Sequence, residues 1–316
     1  MPLLLTDTDL ARLPTMQIAI AAIEEAMAAR TAGTMVAPPR HSVPFAPQGG
    51  LTFTIGGRSG GDGIAGFRVY DTFGGEVEDQ LVAAWSIETK RLLGVYVGRT
   101  LGDIRTGAIG GVAVRHLCSA DADSVAVIGT GAQARTQLAA VAAVRPLRAI
   151  QVFGRNPARL EAFVAEMSAE LKQPVTAASS ARAAVAEAAI VICATTSSTP
   201  VLEAGWLRPG AHINTVGPKS VTGHELGLDV AERAVTIATD SPDQVRAYDP
   251  PFFLDGTSMG ARMIDLADIV SGKVKPRPQG DEMTLFCSTG LAGTEALVAA
   301  RVFAAHLARG KAQTDR

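Results

Sequence analysis

The sequence predicts an α/β protein built on a parallel sheet, and three observations carry that expectation. First, residues 124–155 run as an apolar strand, a glycine turn (Gly129-Thr130-Gly131-Ala132-Gln133-Ala134), a helical pattern and a second apolar strand at 149–153. That succession is the context a dinucleotide fingerprint requires. Second, short apolar runs alternate with helical patterns from 158 to 287, which implies parallel strands with helices on both faces. Third, the first 118 residues hold strand patterns but no such turn, so they form a separate, smaller domain of mixed α+β type. The expected organisation is a substrate domain over 1–118 and a Rossmann-type dinucleotide-binding domain over 119–290. A closing helix within 291–316 packs back on the first domain.

In chain order, residues 3–5 form a short strand. Residues 16–30 form a helix, because Ile18, Ile20, Ala21, Ile23, Ala26 and Met27 recur at helical spacing. Gly33 ends that helix, and Pro38 and Pro39 hold the segment 36–41 extended. Strands are expected at 51–55, 65–70, 82–86 and 91–97. Residues 56–66 hold six glycines in eleven positions and read as a mobile loop beside a site. Residues 103–117 are helical, carrying Ile104, Ala108, Val112 and Leu117. Beyond the glycine turn, helices are expected at 158–171 and 181–188, and strands at 175–177, 190–193, 212–216 and 235–239. A helix at 263–270, a proline-rich connector at 273–279, a strand at 284–287 and a helix at 291–307 follow. Ligands of such sheets bind beyond the carboxyl ends of the strands, so 195–198, 217–220 and 240–241 would rim one cleft.

At the turn, Gly129 permits the sharp bend and Gly131 brings no side chain against a pyrophosphate. Ala134 is small enough for helix and strand to approach closely. Thr130, Ala132 and Gln133 complete a loop whose free amides, at the positive end of a helix, suit phosphate. A bare G-x-G-x-x-A also occurs in ordinary strand-to-helix turns, and the flanking elements select the cofactor reading. The second strand ends in Gly154-Arg155-Asn156. No acidic residue lies between Asp123 and Glu161 to accept from a ribose 2′-hydroxyl. Arg155, with Asn156 and Arg159, instead suits a 2′-phosphate, since guanidinium pairs with phosphate in two-pronged fashion. The alternative leaves Arg155 solvated or stacked on adenine. NADP(H) is the preferred cofactor, with NAD(H) second.

A net charge of −2 and the lack of a long basic run argue against a nucleic-acid partner. No apolar run approaches membrane-spanning length and the first residues lack a basic leader, so no membrane partner and a cytoplasmic location are expected. The dispersed Cys118, Cys193 and Cys287 read as reduced core thiols. The five histidines show no metal-ligand spacing, and no metal is expected.

Three arginines of the first domain sit among small or apolar residues: Arg40 after a double proline, Arg68 in a strand pattern, and Arg105 before a small-residue helix. Taken singly, Arg40 reads as a surface residue and Arg105 as a structural ion pair. Arg68 is harder to dismiss, because an unpaired charge there would be costly. Together they would make an anion pocket for one or two carboxylates.

The ordered stretches DIRTGAIGG, VIGTGAQA, CATTSSTPVL, HINTVGPKSVTGHEL and TLFCSTGLAGTEA, spread over nearly the whole chain, resemble the ornithine cyclodeaminase/μ-crystallin family. Members include cyclodeaminases, alanine dehydrogenases and reductases of ketimines and small imino acids. The resemblance implies a homodimer, a small carboxylate-bearing substrate, and a nicotinamide cofactor used as redox partner or recycled internally. It implies that Arg40 and Arg105 bind carboxylate, that Arg68 stands at the family's pocket lysine, and that Thr195, Thr196, Gly217, Ser288 and Gly290 lie on the nicotinamide side.

Two positions depart from the family pattern. Lys219 stands where cyclodeaminases carry an aspartate that handles the proton and amine. Arg68 replaces a lysine, and a guanidinium stays protonated, so it cannot titrate. A cyclodeaminase-type lyase with recycled NAD therefore ranks below an NAD(P)-dependent oxidoreductase reducing a small α-imino or α-keto acid. Arg68 would bind carboxylate or polarise a carbonyl, and a desolvated Lys219 would supply the proton. The alternative places Lys219 in a solvent-facing loop. Three arginines would also accommodate a dicarboxylate such as iminosuccinate. A non-catalytic, NADPH-binding μ-crystallin-like protein is the remaining reading.

Overall fold

Contacts divide the chain into two units, residues 1–105 with 291–316 and residues 106–290. The division falls inside the helix Thr100–Leu117, whereas the sequence places the boundary after residue 118. The computed structural model describes residues 1–74, 80–275 and 280–314.

The unit 106–290 is a sheet of eight strands. Their spatial order is Thr176–Ala177, Ala149–Phe153, Ser124–Ile128, Ile190–Cys193, His212–Thr215, Met283–Cys287, Ala234–Thr239 and Ile264–Asp265, and every neighbouring pair is parallel. This is the predicted α/β class, and its apolar strand runs follow from burial on both faces. Alternate residues feed opposite sides: Ala126, Ile128, Val191 and Cys193 enter one core cluster, and Val125, Val127, Ile190 and Ile192 the other. From Ser124–Ile128 the chain first builds outward one way and then returns to add Ile190–Cys193 on the other side. The gap beyond the carboxyl ends of those two strands is the topological switch point.

Polar side chains also cross this sheet. His212 is fully buried, with Nδ1 2.7 Å from Thr284 Oγ1 and Nε2 2.8 Å from Asn214 Oδ1. Asn214 Nδ2 donates onward to the Gly110 carbonyl at 3.1 Å. Burial pulls the imidazole from its ordinary value of 6.5 down to about 4. Because the folded value is depressed, the unfolded chain takes up a proton first as pH falls, and stability is lost between the two values. The loss should approach about 3 kcal/mol. Urea midpoints measured across that pH window should fall further for the wild type than for His212→Gln.

The other unit is a seven-stranded sheet. Its order is Leu3–Thr6, Arg91–Val97, Gln80–Ser86, Ile64–Asp71, Gly50–Arg58 and Met35–Val36, with His41–Pro44 also paired to Gly50–Arg58. All pairs are antiparallel except the first. The helices Thr15–Thr31 and Thr294–Thr314 are tied by Arg301, which meets Glu25 at 2.6 Å and also reaches Asp62 at 2.9 Å.

Two sequence expectations are corrected here. Residues 56–66 are not one loop: Gly56 and Gly57 lie in Gly50–Arg58, and Gly66 lies in Ile64–Asp71. A Cβ on Gly66 would stand 2.6 Å from the Ala296 Cβ, and one on Gly56 would stand 3.1 Å from the Gly293 Cα. Gly66 admits the closing helix and Gly56 the residue before it, and each also lies under a neighbouring strand's carbonyl, with Ala83 O and Val36 O 2.2 Å and 2.3 Å from those Cβ positions, close approaches that composition cannot distinguish from a loop. The expected helix at 263–270 splits into the strand Ile264–Asp265, paired with Ala238 and Thr239, and the helix Leu266–Val270. Asp265 ends the strand and caps the helix by accepting from the Ala267 amide at 3.0 Å. Of the connector at 273–279, residues 276–279 lie outside the described residues.

The three cysteines are free and buried, and burial pushes the thiols of Cys118 and Cys287 up to about 12. Among the described residues, no helix is long and apolar enough to cross a membrane, and no group of His, Cys, Asp or Glu is placed to hold a metal ion.

Candidate cofactor and substrate sites

A cavity of about 400 Å³ opens at the switch point, lined among others by Gly129, Thr130, Gly131, Arg155 and Thr195. Gly129 has φ +119, and a Cβ there would lie 2.2 Å from the Ala194 carbonyl oxygen, so only glycine fits the bend. Gly131 caps the helix Ala132–Val144 with no side-chain cap, and nothing lies within 4 Å of where its Cβ would be. The first amides of that helix have no intrahelical acceptors. An open helix N-terminus above a bare glycine is the cradle a pyrophosphate fills, so the residues present fit a dinucleotide. Ala134 is fully buried in the core below, and Ala132 and Gln133 are half-buried in the helix.

Arg155 and Arg159 are exposed at the cavity wall. Asn156 also lines it, but its Oδ1 caps the helix Pro157–Leu171 by accepting from the Arg159 amide at 3.0 Å. Arg135 was missed by sequence reasoning. Its Nη1 donates to the carbonyls of Thr130 at 2.7 Å and Gly131 at 3.2 Å, bracing the turn from the following helix. Its only sequence signal is a cation one residue past the fingerprint.

On the proposed nicotinamide side, Thr195 and Thr196 line the cavity. Glu225, fully buried, organises this edge. Its Oε2 accepts from the Thr195 amide and hydroxyl at 2.8 and 2.7 Å, and its Oε1 from the Thr215 hydroxyl and the amides of Val216 and Gly217. Asp240, also fully buried, accepts from the Thr289 and Gly290 amides at 2.7 and 2.9 Å. The amides of Gly217 and Gly290 are thus committed to the protein, and Ser288 is buried beside them with its amide on the Thr215 carbonyl. Neither carboxylate has a local pattern that marks it; only their positions just past strand ends hint at the role. Lys219 is 3% exposed, not solvent-facing. It opens the small hairpin Lys219–Ser220 and Gly223–His224, and its Nζ donates to the Gly217 carbonyl.

In the other unit, Arg68 and Arg105 converge on one buried carboxylate, Glu295. Arg105 Nη2 hydrogen-bonds Glu295 Oε1, and Arg68 Nη1 stands 3.6 Å from the same oxygen. Arg68 Nε and Nη2 both donate to Gln80 Oε1, at 3.1 and 2.6 Å, and its guanidinium lies 4.4 Å over the Tyr70 ring. Burial lowers the Arg68 pKa from its ordinary value, Glu295 opposes that shift, and Arg105 adds to it. The Nε of Arg105 is buried with no hydrogen-bond acceptor. Arg40 is half-buried just before the strand His41–Pro44, and the ion pairs described at Glu295 come from Arg68 and Arg105.

A parallel sheet whose switch point opens on a glycine turn and a bare helix N-terminus defines a Rossmann-type protein. The chain belongs to the ornithine cyclodeaminase/mu-crystallin family, whose family model matches residues 2–310. It is 29% identical over 304 residues to a Δ1-pyrroline-2-carboxylate reductase of Bacillus cereus, covering 92% of this chain and 90% of that one. It is 35% identical over 207 residues to a Rhizobium meliloti protein named as a dehydrogenase, covering 65% of this chain. That match spans 63% of the relative, just under two thirds of its length. The solved Thermococcus litoralis Δ1-pyrroline-2-carboxylate reductase, in complex with NADH and L-proline, superposes with a TM-score of 0.86 at 29% identity over 98% of each chain.

Proposed function

We propose that the protein is an NAD(P)-dependent oxidoreductase that reduces a small α-imino or α-keto acid, an imine reductase or, in reverse, an amino acid dehydrogenase. The observation that carries this reading is the buried Arg105 Nε that lacks an acceptor beside the Arg68 guanidinium, a donor arrangement suited to a carboxylate. It occurs in a chain whose other unit holds the glycine-turn cavity. The relatives named for Δ1-pyrroline-2-carboxylate reduction, one of them bound to NADH and L-proline, support the same chemistry.

When bound in the glycine-turn cavity, a nicotinamide cofactor would supply or accept the hydride. The chain's own residues do the remainder. Gly129, Thr130 and Gly131, with the first amides of the helix Ala132–Val144, would hold pyrophosphate, and Thr195, held by Glu225, would shape the nicotinamide side. Arg40, Arg68 and Arg105 orient the substrate carboxylate. Lys219, desolvated and held at the Gly217 carbonyl, carries the proton for the substrate nitrogen. Lys219→Met should lower kcat about 100-fold and leave the NADPH dissociation constant within about twofold, measured by steady-state kinetics and fluorescence titration.

The preferred cofactor is NADP(H), supported by exposed Arg155 and Arg159 at the cavity wall and by the lack of an acidic residue from 124 to 160. Arg155→Ala should raise the KM for NADPH about tenfold and leave that for NADH unchanged, because a lost charge-assisted bond costs about 1.5 kcal/mol. The family resemblance adds a homodimer, checked by sedimentation equilibrium, and the free, buried thiols suit a reducing cytoplasm.

The test is loss of reduced-nicotinamide absorbance with cyclic imino acids, and with keto acids plus amines, under both cofactors. Turnover supports the reading. Ammonia release from ornithine without net cofactor change, or NADPH binding with no oxidation across the panel, overturns it.

A further inference from the structure

Within the unit 106–290, Arg135 makes interactions that helix stability does not explain. It lies in the first turn of the helix Ala132–Val144, where a cation works against the helix dipole. Its guanidinium is nonetheless fixed on several sides. Nε donates to Glu166 Oε2 at 2.8 Å, and Nη2 stands 2.7 Å from the same oxygen. Its central carbon lies 5.0 Å from the centre of the Phe163 ring, which is fully buried. Glu166 and Phe163 both belong to the helix Pro157–Leu171. Because a guanidinium is flat and rigid, anchoring one edge aims the other, and Nη1 meets the carbonyls of Thr130 and Gly131 at 2.7 and 3.2 Å.

We propose that Arg135 is a positioning residue for the cofactor pyrophosphate: by holding the Thr130 and Gly131 carbonyls on the helix side of the turn, it aims the Gly131 and Ala132 amides at the phosphates. The inference rests on the reading that the glycine turn binds a dinucleotide. The peptide bonds on either side of Gly131 are trans, and in a trans peptide N–H and C=O point in opposite directions. Fixing the Thr130 oxygen therefore fixes the Gly131 N–H, and fixing the Gly131 oxygen fixes the Ala132 N–H. The Gly131 carbonyl is also held by the Arg135 amide, at 3.3 Å, as the first bond of the helix. The Thr130 carbonyl lies outside the helix, and Arg135 Nη1 is the donor that reaches it. The Gly131 amide has no acceptor among the described residues, and Gly131 lines the cavity. Amides aimed before the ligand arrives spare the ordering cost of binding. Glu166 pairs with the Arg135 charge, so the effect is one of direction more than of attraction.

The test is fluorescence titration of the full chain with NADPH and with NADH, beside thermal unfolding and the phosphorus NMR spectrum of saturating NADPH. Arg135→Ala should raise both dissociation constants by the same factor, at least about tenfold, since the pyrophosphate is common to both. The bound pyrophosphate resonances should move toward their free positions, and the 2′-phosphate resonance should hold its place. Arg135→Lys keeps the charge without the planar fork and should lose nearly as much. Glu166→Ala should weaken both dinucleotides at least about threefold, although loss of a negative charge alone would tighten them. Unchanged dissociation constants in Arg135→Ala, with or without a lower Tm, overturn the proposal. Wild-type affinity in Arg135→Lys, unchanged or tighter binding in Glu166→Ala, or pyrophosphate resonances that stay at their wild-type positions overturn it as well. Should Arg135→Ala fail to fold, the other two variants decide. Binding of neither dinucleotide by the wild type overturns the reading of the glycine turn, and this proposal with it.

Discussion

Gly131→Asp is expected to weaken NADPH binding by at least about 100-fold, roughly 3 kcal/mol, with little change in Tm. The two halves of that expectation come from the same position. The backbone at Gly131 has φ −85, which any residue adopts, and no atom lies within 4 Å of a Cβ built there, so the fold accepts the side chain. The same open space is where a phosphate would meet the helix amides, and a carboxylate there both fills it and repels the ligand. Gly129→Ala gives the contrast. Its φ of +119 and the Ala194 carbonyl 2.2 Å from the new Cβ make it a folding defect first. Fluorescence titration of NADPH beside thermal unfolding separates the two. A Gly131→Asp protein that keeps wild-type affinity would remove the glycine turn from the proposed site.

Arg105→Met is expected to cost about 3 kcal/mol of folding stability and about 100-fold in kcat/KM. Glu295 is 1% exposed and hydrogen-bonds Arg105 Nη2, and Arg68 stands farther off, at 3.6 Å. Removing Arg105 therefore leaves a buried carboxylate with only the more distant cation. Arg105→Lys divides the effects: the ammonium restores charge and much of the stability, but it lacks the planar fork that pairs with carboxylate. Urea unfolding and steady-state kinetics on both variants would show it. Wild-type kinetics in Arg105→Lys would mean that charge alone suffices and that fork geometry has no part.

Legibility in the sequence varied with the range of the interaction concerned. The strand Ile190–Cys193 and the strand Ala149–Phe153 are found at the expected residues, because a run of β-branched and apolar side chains buried on both faces is a local pattern. The glycine turn was equally legible, since a sharp bend and a close approach demand particular residues at particular places. The stretch 56–66 was not, because glycine marks either a loop or a strand pressed by another element. The pressing element, Thr294–Thr314, begins more than two hundred residues later. The helix expected at 263–270 failed for a related reason: Ile264 and Asp265 are drawn into the sheet edge by Ala238 and Thr239.

The sequence by itself determined the alternating α/β unit, the nucleotide turn and the family to which the chain belongs, because backbone periodicity and turn chemistry are written over a few consecutive residues. Only the tertiary structure decided that Glu225 and Asp240 occupy the amides at the strand ends, that Lys219 is buried, and that Arg68 and Arg105 share Glu295. The physical reason is that a buried charge is defined by its partner, and Arg105 and Glu295 stand 190 residues apart in the chain.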